Sequence, residues 1–325
     1  MQVRLVRAVV VVAAFGVAAA GCGKYSISNI RSAKAFQDAN KLYQKSDFEA
    51  AAARYEDAVK FNPDLGFAYF FLGHSYESMY KPGRDKATLD KAAQHYRTAI
   101  TKLASATSDK EKEIRQRSFE YLIALHGPGK LDDFSRAEPV ARELIALDPT
   151  DPGPYRMLAK LYEDQGRMAE AEALLLKSVE VRPSEAAAGY QLLAGFYNTQ
   201  GQFDKTMDAW YKRAELEPNN AEAWHTIGVY FQDKVFNDKT LPRAKALEMA
   251  LKGIAAEDKA LALNPEYFEA LTYKNILLRH QALYERDPKL QKALGEEADR
   301  LRDRAMAIQK KQNAAAAEAA KAGGS

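Results

Sequence analysis

The sequence predicts an all-α protein of stacked helix hairpins, and three observations carry that reading. A phrase of 34 or 35 residues recurs, most clearly in segments 152–185, 187–220 and 32–65. Within each copy, apolar residues return at helical spacing on two successive stretches separated by a short turn. A proline then closes the unit: Asn62-Pro63, Asp148-Pro149, Arg182-Pro183, Glu217-Pro218 and Asn264-Pro265. Proline disfavours helical geometry in the residue before it, so each pair ends a helix. One hairpin is too small to bury its own apolar stripes, so neighbouring hairpins must stack.

The clearest copy shows how each part is specified. Tyr155, Leu158, Ala159 and Tyr162 mark its first helix, Gly166 and Met168 the turn, and Ala171, Leu175 and Ser178 a second helix that stops before Pro183. Small residues at the eighth position, Ala159, Ala194, Gly228, Gly73 and Ala39, let paired helices touch. Ala51, Ala92 and Ala171, and then Ala58, Ala99 and Ala260, do the same in the second helix. Aromatics fill the gaps between hairpins: Tyr155, Tyr190, Trp224 and Tyr69; Tyr162, Tyr197 and Tyr76; Tyr55, Tyr96 and Trp210.

These residues together resemble the tetratricopeptide repeat family, over segment 32–312. The resemblance implies a right-handed α-solenoid of about seven repeats. Five copies start near Ser32, Gly66, Pro152, Ala187 and Ala221; a degenerate one ends at Pro149, and a last one runs from Tyr267 through Ala298 and Ala305. Insertions at 81–90 and 234–247 are expected as loops. Thr240, ahead of Leu241 and Pro242, reads as the start of a long second helix reaching Leu263. Ser135 and Glu138 read as a capping box, with Pro139 in the first turn. The charged run from Ser108 to Arg117 reads as a solvated helix start.

The chain ends bear on location. Arg4 and Arg7 precede an apolar run, 8–20, too short to span a bilayer, which needs about 20 apolar residues. A secretory signal is therefore expected over 1–21. The run closes on Ala19-Ala20-Gly21-Cys22, which resembles a bacterial lipobox, although Ala19 stands where leucine is most typical. Cys22 is the only cysteine, and lipidation accounts for its solitude. Gly23 follows it rather than the aspartate that, in the lipoproteins it resembles, retains the chain at the inner membrane. The expected location is thus the outer membrane, facing the periplasm. Segment 22–31 is read as a lipidated cysteine and tether, and 313–325 as an Ala-rich tail that prolongs the last helix and then frays.

Composition excludes some functions. Loss of Arg4 and Arg7 with the leader takes the formal net charge from +3 to +1, so general nucleic-acid binding has no electrostatic basis. His74, His95, His126, His225 and His280 are scattered, without metal-ligand spacing. Gly127-Pro128-Gly129-Lys130 lacks the rest of a phosphate loop and reads as a turn. No nucleophile motif is present. Neither an enzyme, a cofactor nor a metal site is expected.

The resemblance places the second, fifth, ninth, twelfth and thirteenth positions of each first helix in a concave groove. Here those positions hold Phe36, Asn40 and Tyr43; Phe67, Phe70 and His74; Arg156 and Lys160; Gln191 and Asn198; His225 and Gln232. The expectation is a protein segment anchored on Phe36, Phe67 and Phe70, with polar contacts further along. The alternative is that these aromatics pack internally and the polar set is a solvated face. Some repeat domains of this kind clamp a C-terminal carboxylate. This chain keeps Asn40 but has Phe36 in place of the lysine, which disfavours a chaperone-tail function. The leading expectation is an adaptor lipoprotein in bacterial envelope assembly, serving pilus, secretin, outer-membrane or cell-wall machinery. The alternatives are a non-catalytic subunit of an envelope enzyme and a self-associating tether.

Overall fold

The computed structural model describes residues 26–83 and 86–322, with side chains to 317. The leader, Cys22 and its lipidation lie outside the described residues. Those described form fourteen α-helices and one 3-10 turn, with no strand among them. The chain divides into two compact units, 1–174 and 175–325.

In the first unit, α1 (Ile27–Gln44) packs on α2 (Phe48–Phe61), α3 (Gly66–Met79) on α4 (Ala87–Lys102), and α5 (Asp109–Leu125) on α6 (Phe134–Leu147); α7 (Pro152–Asp164) follows. Helix α1 starts at Ile27, inside the segment expected to be a tether, where the Ser26 side chain accepts a hydrogen bond from the Asn29 N–H. The core of the first hairpin gathers Ala39, Ala51, Ala52, Tyr55, Ala58, Ala68 and Leu72. Each fully buried leucine of Leu72 type contributes about 1.5–3 kcal/mol relative to exposure.

The expected helix stops are present. Asn62 and Asp148, each before a proline, are extended, with φ −138° and −141°. The eighth-position rule also holds at Gly73, where a Cβ would lie 2.9 Å from the Tyr96 ring. The hairpin turn needs left-handed backbone: Gly166 has φ 73°, and the same turn in the first copy is made by Ser46 at φ 60°.

The degenerate third copy comes into register through burial. Ser118, Phe119, Leu122, Ile123, Leu125 and His126 are buried, and so are Pro154, Tyr155, Leu158, Ala159, Leu161 and Tyr162, each 36 residues on. The expected capping box at Ser135 is not formed. Asp133 caps α6 by accepting from the Arg136 N–H, Ser135 Oγ donates to Asp133, and Pro139 lies inside the helix. A capping box stands instead at Ser108 and Glu111, at the start of α5. The 127–130 segment is a turn, with Gly129 at φ 80°.

Helix α8 (Met168–Glu180) carries the chain across the boundary between units. A 3-10 turn, Pro183–Glu185, then leads into the second unit, where α9 (Ala186–Thr199) packs on α10 (Phe203–Leu216), α11 (Ala221–Asn237) on α12 (Arg243–Leu263), and α13 (Phe268–Tyr284) on α14 (Pro288–Ala322). The 234–247 insertion is mostly helix, because it lengthens α11 and α12 and leaves a loop of only 238–242. Thr240 does not cap α12. Its hydroxyl and N–H both donate to Asp238, and with Lys234 they hold that carboxyl down at about 2. Leu294, Ala298 and Ala305 bury the first half of α14, and Arg304 donates to the Pro265 carbonyl. Beyond that point the helix continues to Ala322.

Candidate functional site

In the first unit, α1, α3 and α5 share one face, and their aromatic side chains join there. Tyr43 of α1 meets His74 of α3 with ring centroids 5.4 Å apart, and His74 meets Tyr121 of α5 at 5.4 Å. Beneath them, Phe71 lies 5.4 Å from Tyr43 and Phe70 lies 5.5 Å from Tyr121. The upper layer of Tyr43, His74 and Tyr121 is half-buried, whereas Phe70 is only 4% exposed. Edge-to-face and tilted contacts at this spacing fix the rings before anything binds.

A polar set is built into the same face. The Tyr43 hydroxyl lies 2.9 Å and Ser78 Oγ 3.2 Å from His74 Nδ1. The Tyr96 hydroxyl donates to Glu77 Oε2 at 2.6 Å, and Lys130, from the turn after α5, donates to Glu77 Oε1. The Tyr121 hydroxyl makes no hydrogen bond among the described residues. Burial pushes the pKa values of Tyr43, Tyr96 and Tyr121 upward, with Glu77 adding to each shift, so all three stay neutral donors. Burial also lowers the pKa of His74, against an upward pull from Glu77, so its ring is neutral at pH 7. The face therefore offers apolar ring edges with neutral hydrogen-bonding groups set between them. That is the chemistry of recognising a peptide side chain and its backbone.

The residues anticipated from sequence fall into distinct roles. Phe36 packs on the core, 5.7 Å from Tyr55 and 6.2 Å from Phe71. Asn40 accepts from the Tyr55 hydroxyl at 2.7 Å, which fixes its amide. Phe67 is half-buried beneath the Lys110 ammonium, 5.7 Å from its ring centroid. Phe70 is core and cannot be an exposed anchor. Arg156 is half-buried, its Nε and Nη2 shut from solvent without an acceptor. Lys160 is exposed and pairs with Asp164 at 2.7 Å.

In the second unit, Gln191 and Asn198 are exposed and Gln232 is half-buried. His225 is 9% exposed and belongs to the interior, because its Nδ1 lies 3.0 Å from both oxygens of Glu257, itself 0% exposed. Gly228 makes room for that carboxylate, since a Cβ there would lie 2.2 Å from Oε1.

Sequence reasoning missed Tyr121, Glu77 and Lys130. Tyr121 sits in the degenerate copy, whose register no aromatic or small-residue signature fixes. Glu77 and Lys130 come together from α3 and a turn 53 residues later in the chain, a pairing without local periodicity. Among the described residues no group of three or more His, Cys, Asp or Glu could hold a metal ion, and no helix is long and apolar enough to cross a membrane.

Residues 130–195 match the family model of the tetratricopeptide repeat. The C-terminal part of a tetratricopeptide repeat-containing protein from Cytophaga hutchinsonii is 17% identical, with 84% of this chain and 98% of that chain covered at a TM-score of 0.51. It shares the fold: all-α, with helix hairpins of tetratricopeptide type. Looser resemblances include PilW, described as a type IV pilus biogenesis factor, at 22% identity, 74% and 97% coverage and a TM-score of 0.40. YrrB, described as having an unusual peptide-binding site, follows at 18% identity, 74% and 90% coverage and a TM-score of 0.34. No curated protein matches the sequence.

Proposed function

We propose that the chain is a membrane-anchored scaffold of bacterial envelope assembly, binding a protein partner through the shared face of α1, α3 and α5 and held to the outer membrane by a lipid on Cys22. The fold supports a binding scaffold, since stacked hairpins present extended faces rather than enclosed reaction pockets. The half-buried Tyr43, His74 and Tyr121 set, whose Tyr121 hydroxyl makes no hydrogen bond among the described residues, carries the reading for the first unit. Its rings are already ordered, so binding loses little side-chain entropy. Both Glu77 oxygens are engaged, by Tyr96 and Lys130, which supports a part in ordering the face. The lipobox-like Ala19-Ala20-Gly21-Cys22 and the leader before it support the anchor.

The deciding experiment is photocrosslinking in cells from position 121, with Gln191 as a probe of the second unit and mass spectrometry of the adducts. One envelope protein captured from position 121 supports the assignment and identifies the assembly. Absence of adducts from an abundant, membrane-associated protein refutes it. Independently, Cys22→Ser is expected to release the protein from membranes; unchanged membrane association would refute the lipid anchor.

A further inference from the structure

Helix α1 is the first described helix, and among the described residues no hairpin packs on its outer side. Its inner side is spent on the core: Ser32, whose hydroxyl donates to the Ala58 carbonyl at 2.8 Å, then Ala35, Phe36 and Ala39. On the outer side, Ile27, Ile30, Arg31 and Lys34 stand at i, i+3, i+4 and i+7, one continuous stripe along the first two turns. All four are exposed, Ile27 at 71% and Ile30 at 59%. Arg31 meets only the Phe61 ring, at 5.8 Å, and neither Arg31 nor Lys34 makes an ion pair among the described residues. Lys60, at the end of α2, is exposed as well. Between Gly23 and Phe36 the sequence holds Lys24, Arg31 and Lys34 and no acidic residue, and the first turn of α1 contains none to offset the positive helix terminus.

We propose that this stripe lies on an anionic phospholipid surface, making the first hairpin a peripheral membrane contact beside the lipid on Cys22. The inference rests on the lipid-anchored reading, because only three residues lie between Cys22 and Ser26, and those four Cα-to-Cα steps hold α1 within about 14 Å of the lipid-bearing residue. The chemistry matches an interfacial helix, with aliphatic side chains flanked by unpaired cations. A second copy of the chain fits poorly, since two-fold pairing would set Arg31 and Lys34 against their own counterparts. The contact would orient the array, fixing which of its faces looks away from the bilayer.

The test uses the full, processed and lipidated chain in vesicles of phosphatidylethanolamine and phosphatidylglycerol. A bimane label is attached at Ile30→Cys or, as a reference on the exposed side of α2, at Arg54→Cys. Nitroxide lipids labelled at headgroup depth are expected to quench the label at position 30 about threefold more than at position 54. Arg31→Glu with Lys34→Glu, or salt of about 0.5 M with its Debye length near 4 Å, is expected to reduce that excess. Equal quenching at both positions in a chain whose mass shows lipid attachment overturns the proposal and leaves the anchor standing. A chain that carries no lipid and leaves the vesicles overturns both. Shielding of position 30 from aqueous iodide that rises with protein concentration and ignores nitroxide lipids would assign the stripe to a second copy instead.

Discussion

At the residue scale, Gly228 shows how one absent side chain organises a buried polar pair. The space a Cβ would occupy is filled by the Glu257 carboxyl group, whose two oxygens both lie 3.0 Å from His225 Nδ1. Gly228→Ala is therefore expected to destabilise the second unit by about 2–4 kcal/mol, the range for overpacking combined with a broken buried pair. Chemical denaturation followed by circular dichroism checks it. Burial raises the Glu257 pKa to about 7, outweighing the downward pull of His225. Between pH 4.5 and 7 the folded state holds a proton there that the unfolded state has released. The associated stability is fully present below pH 4.5 and lost as pH rises through about 7. Glu257→Gln is expected to flatten that slope in urea titrations across this range, and an unchanged slope would show that the carboxyl titrates as if in water.

At the scale of the element, Ser46 is a turn residue under strain. It adopts φ 60°, where the equivalent turns use Gly166 at 73° and Gly201 at 69°. Ser46→Gly is expected to stabilise the first hairpin by about 0.5–1 kcal/mol, read as a raised denaturation midpoint at unchanged slope. The same comparison explains what was legible in the sequence. Helix ends before prolines, the small eighth positions and the buried aromatics of second helices were readable because each has a local cause. The third copy was not: α5 starts at Asp109 and its turn is long, so only burial reveals the 36-residue offset to α7. The extra residues of the sixth copy were visible, but whether they would loop or extend two helices depended on packing. The candidate face was half legible. Tyr43 and His74 were found by position, while Tyr121 needed the register of α5, and Phe70 proved to be core. Tyr121→Phe removes one hydroxyl and no ring contact, so partner affinity is expected to fall about fivefold while the helical melt is unchanged. Calorimetric titration with the captured partner checks it.

At the scale of the whole molecule, the buried titrating groups are divided unequally between the two units. The first unit holds His74, His95 and His126, all with pKa values lowered chiefly by burial, and Glu120, raised by burial, while the second holds a single lowered histidine, His280, and Glu257, raised to about 7. For each histidine the unfolded state takes up a proton near pH 6.5, before the folded state does. The stability this confers is complete above that pH and is lost as pH falls through the lower folded value. Glu257 works in the opposite direction, since acidification restores its proton and relieves a buried charge. Moving from pH 7.5 to pH 5 is therefore expected to loosen the first unit while leaving the second nearly level. Hydrogen exchange, corrected for intrinsic rates and read by mass spectrometry, resolves the two. Peptides from α3 and α4 should lose protection several-fold more than peptides from α11 and α12. Equal losses in both would mean that the histidines are hydrated in solution, and with them the hydrogen-bonded ring set proposed to meet the partner.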